Sequence, residues 1–216
     1  MPAEAWAEGA QYLHVYFIGI VFLVIYNFGS AVLRAKGDTR RPLYALAIAA
    51  VLNIAFDYAA VEFLCLGVFG IAVGTVIADA VCAAVIVYFL LTEDESYRLE
   101  LKNFRVVGID LKTLMHIGLP AALQGAVFAL SNIIIQGEIN GFGADATAGS
   151  SAAMNFEFYT YFFVNAFSQA AVTFIGQNYA AGQYRRCDKV MKFCMAASFV
   201  STLALSLLFT LGGDLF

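Results

Sequence analysis

The chain has 216 residues, 62% of them hydrophobic and 13% charged, and its 12 basic and 16 acidic side chains give a net charge of −4. Soluble domains carry about 25% charged residues, whereas the mean hydropathy here is +0.79. A water-soluble fold of this size cannot hide so much apolar surface, so the lipid bilayer is part of its solvent and no nucleic-acid partner is expected.

The N-terminus, MPAEAWAEGAQ, is acidic and lacks the basic start of a signal peptide. A spanning helix needs about 20 mostly apolar residues, and six segments meet that length. They run over residues 12–33, 43–66, 67–91, 114–136, 146–174 and 193–211. None shows the dyad alternation of a membrane β-barrel strand. Helices satisfy their own backbone groups in lipid. The expected fold class is therefore an all-α polytopic membrane protein with about six transmembrane helices.

The basic residues are sorted along the chain. Arg34, Lys36, Arg40 and Arg41 follow the first span, Arg98, Lys102, Arg105 and Lys112 the third, and Arg185, Arg186, Lys189 and Lys192 the fifth. That accounts for all 12, and the alternate connections hold none. Alternating helices place loops 34–42, 92–112 and 176–192 on one side, which the positive-inside rule makes cytoplasmic. The stretch 92–112 is long, polar and mixed in charge. It reads as a cytoplasmic linker between two three-helix parts, 1–91 and 113–216.

Ionisable groups within spans are costly and become functional candidates by default. In the second span, Asn53 and Asp57 are four residues apart and share a helix face. Asn53 lies ten residues past Leu43, about 15 Å along a helix axis and so near mid-membrane. A carboxylate beside a carboxamide offers hard oxygens to Na⁺, or a carboxyl to a proton. An interhelical hydrogen bond or a water-lined wall would use the same residues. Thr75 and Asp79 repeat the spacing in the third span, where Asp79 is the only charge.

In the fifth span, Glu157 is accompanied by Tyr159, Tyr161 and Asn165. Aromatic walls with a carboxylate suit organic cations, although tyrosine is also common at membrane interfaces. Gln124 and Asn132 in the fourth span serve either as helix–helix contacts or as cavity lining. The cysteines, Cys65, Cys82, Cys187 and Cys194, form no metal-ligand pattern and read as unpaired thiols. His14 and His116 stand alone, and no GxSxG, HExxH or P-loop occurs. No enzymatic activity and no cofactor are expected beyond a coupling ion, H⁺ or Na⁺.

Four stretches resemble the multidrug and toxin extrusion (MATE) family of antiporters. Tyr12-Leu13, Gly19 and the run Arg34-Ala35-Lys36-Gly37-Asp38-Thr39-Arg40-Arg41-Pro42 resemble its fourth helix and following loop. Val51-Leu52-Asn53 through Asp57 resembles the fifth helix. Gly118-Leu119-Pro120, Gln124, Ile139-Asn140 and Phe142-Gly143 resemble the seventh. Phe174-Ile175-Gly176-Gln177-Asn178-Tyr179 with Ala181-Gly182-Gln183 resembles the close of the eighth.

The resemblance implies twelve helices in two lobes, of which this chain would hold helices four to nine and need the rest as partners. It also implies an inner-membrane efflux transporter for small organic, often cationic, compounds. In one branch of the family an Asn and an Asp of the fifth helix and a Thr of the sixth bind the coupling cation. Asn53, Asp57 and Thr75 match them, as a Na⁺ or H⁺ site to which Asp79 would add a second protonatable group. Gln124, Asn132, Glu157, Tyr161 and Asn165 are the substrate-cavity candidates. The sequence departs from the pattern at His14, where Arg is frequent, at Tyr58, where Pro often follows the Asp, and at Asp79, where a neutral polar residue is usual. The other readings are a flippase for lipid-linked sugars and a non-transporting membrane subunit.

Overall fold

The computed structural model describes residues 3–64, 66–93, 98–100, 102 and 105–212. Cys65, with residues 94–97, 101, 103 and 104 of the expected linker, lies outside the described residues. Six helices follow one another: α1 (Ala3–Lys36), α2 (Arg40–Glu62), α3 (Gly67–Leu91), α4 (Gly108–Gly141), α5 (Ala144–Ala180) and α6 (Tyr184–Leu211). No strand occurs among the described residues.

α1, α4, α5 and α6 run past the expected spans because a helix does not stop where the lipid does, α3 matches its span, and α2 stops at Glu62, short of the expected residue 66. α4 starts at Gly108, six residues before the expected Leu114, and places Asp110 in its first turn, where the helix dipole favours an acidic group. Two of the expected basic loops shrink to three-residue turns, 37–39 and 181–183, and most of their basic side chains stand on helix ends. Gly37 (φ 102°) and Gly182 (φ 70°) make those turns possible, since the left-handed region is open to glycine without a Cβ clash.

Five of the helices are long and apolar enough to cross a membrane; α5 is not among them. Length is no obstacle for this 37-residue helix. Its polarity is, since it carries Ser150, Ser151, Asn155, Glu157, Thr160 and Asn165, so the expected fifth span, 146–174, is a helix rich in polar side chains. Much of that polarity is satisfied internally. Ser151 Oγ donates to the Thr147 carbonyl at 2.8 Å, Asn155 Nδ2 to Ser151 at 3.1 Å and Thr173 Oγ1 to Gln169 at 2.9 Å. Such back-bonding lowers the cost of placing polar side chains in lipid.

The chain divides into two compact units, Met1–Lys102 and Asn103–Phe216. In the first, α3 packs against both α1 and α2, which scarcely touch each other. Small residues allow the close approach. The core of Leu33, Ala45, Ala49, Cys82, Ile86 and Leu90 is flanked by Tyr26, Val85, Phe89 and Leu99. In the second unit α5 pairs with α6 and meets α4 over a short stretch. α4 has no buried residue.

Candidate functional site

The α2–α3 interface brings together three of the expected residues. α2 presents Ala45, Ala49, Asn53, Asp57 and Ala60 at spacings of three or four, and α3 presents Gly70, Gly74, Ala78 and Cys82. The pairing is antiparallel: Gly70 lies against Ala60, and Gly74 against Phe56 and Asp57. This register sets Asn53 opposite Thr75. Asn53 Nδ2 donates to Thr75 Oγ1 at 3.3 Å, and Thr75 Oγ1 donates to the Ile71 carbonyl at 3.0 Å.

Asp57 lies one turn beyond Asn53. Its Oδ1 is buried and has no hydrogen-bond partner. A buried carboxylate oxygen without a partner is costly, and among the described residues only Ser30 Oγ shares that condition. The Asn53 amide spends an N–H on Thr75 and keeps its carbonyl oxygen to accept or to ligate. One carboxylate, one carboxamide oxygen and one hydroxyl make a hard-oxygen donor set of single negative charge. No group of three His, Cys, Asp or Glu side chains suited to a metal ion occurs among the described residues. The set therefore fits a proton or a monovalent hard cation better than a transition metal.

Asp79, the fourth expected member, is half-buried one turn beyond Thr75 on α3. It makes no hydrogen bond or ion pair with another described residue, so the structure does not join it to the trio. The substrate-cavity candidates remain dispersed. Gln124, Glu157 and Tyr161 are exposed, Asn132 and Asn165 are half-buried, and none is hydrogen-bonded to another. An open groove of about 830 Å³ between α5 and α6 is lined by Phe167, Ser168, Tyr179, Met195 and Phe199 among others, and by none of those five candidates.

Two features escaped the sequence reading. The first is Glu93, which lay unremarked in the acidic start of the linker. Its side chain is 3% exposed and forms ion pairs with both Lys36 and Arg41. Arg41 also pairs with Asp38 at 3.1 Å and lies over the Phe89 ring. Asp38 Oδ1 accepts from the backbone N–H groups of Arg40 (3.0 Å) and Arg41 (3.2 Å), and so caps α2. The basic cluster after α1 is thus tied to the end of α3. The second is Gly74, the glycine beside Asp57. The described cysteines, Cys82, Cys187 and Cys194, are free thiols.

Long helices with apolar outer faces define a multi-pass helical membrane protein. A family model described as MatE matches residues 120–216, and one described as lipid II flippase MurJ matches residues 2–142. The chain is 27% identical over 179 residues to the "Probable multidrug resistance protein YpnP" of Bacillus subtilis, covering 81% of this chain and 39% of that protein. It is 27% identical over 185 residues to the "FAD transporter" of Shewanella oneidensis, covering 84% of this chain and 41% of that protein. The solved outward-facing structure of a multidrug resistance MATE family transporter of the MOP superfamily superposes with a TM-score of 0.83 at 22% identity, over 94% of this chain and 46% of that one. The chain thus resembles MATE family transporters in the family model over residues 120–216, in its curated relatives and in its fold. It spans about two fifths of the length of these curated relatives.

Proposed function

We propose that this chain supplies half of a cation-coupled antiporter that exports organic, often cationic, compounds by alternating access. The remaining helices of the complete transporter would close its two lobes. Asp57 carries the reading: its buried, unpartnered Oδ1 adjoins the Asn53–Thr75 hydrogen bond in a donor set suited to H⁺ or Na⁺. Cation binding there would shift the balance between inward- and outward-facing states only through differential affinity for the two. The basic helix ends would face the cytoplasm across the inner membrane. Asp57, Asp79 and Glu157, with Glu62 near the edge of the second, are the charges within the expected spans, and all are acidic. That polarity favours cationic cargo over a polyanion such as FAD.

The test is export of a cationic dye by the complete protein in membrane vesicles, with and without an uncoupler or a Na⁺ gradient. Export that depends on the gradient and is lost in Asp57→Asn is the expected result. Undiminished gradient-driven exchange in Asp57→Asn would remove Asp57 from the mechanism. The match of residues 2–142 to the lipid II flippase model favours a second reading, a flippase for lipid-linked sugars. Such cargo calls for a basic central cavity, whereas Lys and Arg here stand in the linker and towards helix ends. Translocation of a lipid-linked sugar without dye export would establish it.

A further inference from the structure

A cation site is only as selective as the spacing of its oxygens, and Gly74 fixes one of those spacings. A Cβ built on Gly74 would lie 3.0 Å from Asp57 Oδ1 and 3.0 Å from Phe56 Cβ. The carboxylate oxygen therefore occupies space that any other residue type would fill. Gly74 directly precedes Thr75, whose hydroxyl is the α3 contribution to the donor set. The missing side chain thus governs how closely the Asp57 carboxylate approaches the α3 backbone at the residue next to Thr75.

Gly70, one turn earlier on the same face, provides the contrast. A Cβ there would meet Ala60 Cβ and Leu66 Cβ at 2.7 Å, a tighter fit that involves no oxygen of the site. Both glycines let two helices pack closely, but only Gly74 has the carboxylate as its neighbour.

We propose that Gly74 is a positioning residue that sets the affinity and ion preference of the Asp57 site. This rests on the reading of Asp57 as the coupling carboxylate. An added methyl group meets one rigid neighbour, the Phe56 Cβ, and one that can turn, the Asp57 carboxylate. The carboxylate, on a rotatable bond, yields first and moves away from the α3 backbone.

The experiment compares Gly74→Ala and Gly70→Ala in the complete protein. It measures transport against the concentration of each coupling cation (H⁺, Li⁺, Na⁺, K⁺), together with thermal stability in detergent. Gly74→Ala is expected to raise the half-saturating cation concentration about tenfold, the lower end of what disturbing a supporting residue costs a bound ion. The maximal rate should be largely kept. Gly70→Ala is expected to lower thermal stability while leaving the half-saturating concentration unchanged. Equal changes in both variants, or no change in cation dependence for Gly74→Ala, overturn the proposal.

Asp57→Glu gives an independent arm if Gly74→Ala yields no folded protein. Its extra methylene moves the carboxylate relative to α3, so the order of preference among the cations should change. An unaltered order and affinity in Asp57→Glu also overturns the proposal. Asp57→Asn separates the two ideas. If it abolishes coupling while Gly74→Ala is silent, only the role of Gly74 fails. If it leaves coupling intact, the cation-site reading fails and takes the role of Gly74 with it.

Discussion

The two units of the chain are both built from long helices yet differ in how tightly they pack. In the first unit α3 buries Gly70, Ala72, Gly74, Ala78, Cys82, Ala83, Ile86 and Leu90. In the second, α4 buries nothing and α6 buries only Cys194. Hydrophobicity does not explain the contrast, because lipid tails are as apolar as a protein core. Small side chains do. The α3 run GVFGIAVGTVIADAVCAA offers a small residue at nearly every turn towards its neighbours, and van der Waals contact then holds the helices together. The consequence reaches chemistry. Close packing brings polar side chains of different helices within bonding distance, as Asn53 and Thr75 are, whereas in the second unit Thr147 meets Asn140 at 3.4 Å beside the α4–α5 turn. In the second unit Gln124, Asn132, Glu157, Tyr161 and Asn165 stand on helices that leave them apart.

Substitutions can break or sharpen this contrast. The largest effect is expected at the ionic end of the first unit. Glu93→Ala removes the buried acid that Lys36 and Arg41 share, and losing hydrogen bonds to a charged group costs about 2–3 kcal/mol. Thermal unfolding of the purified protein in detergent should show an early loss of the first unit. A stability equal to that of the unaltered protein would mean that the α1–α2 turn is not held through Glu93.

Next is Ile86→Ala at the fully buried centre of α3. Lipid cancels the transfer part of the usual cost, so about 2 kcal/mol of lost packing is expected in the same assay. Asp38→Ala removes the carboxylate that caps α2 and should cost about 1 kcal/mol. Helicity and melting of the purified protein report it, and Asp38→Asn should restore most of the loss.

The smallest effect is expected in the second unit. Leu130 on α4 is 58% exposed, so Leu130→Ala should change stability by less than about 0.5 kcal/mol. A loss as large as that of Ile86→Ala would show that α4 is covered in the assembled transporter. The contrast between units would then belong to this chain alone.

The sequence by itself determined the number and order of the helices, because apolar length and the sorting of basic residues are properties of the chain read one residue at a time. It also determined that Asn53 and Asp57 share a face, since a spacing of four is enough on any helix. The limit appeared wherever an answer depended on a second helix. That Asn53 meets Thr75, and that Asp57 rests on Gly74, is set by the α2–α3 register, which small residues at matching heights select. Asp57 and Asp79 are both carboxylates within spans that the resemblance already set apart, and the register adds that Asp57 rests against Gly74 while Asp79 bonds to no other described residue. Glu93 was one of three acids in the run TEDES, and nothing local marks it. Its role exists only because α1, α2 and α3 end at the same level, where two cations from one loop meet one anion from another.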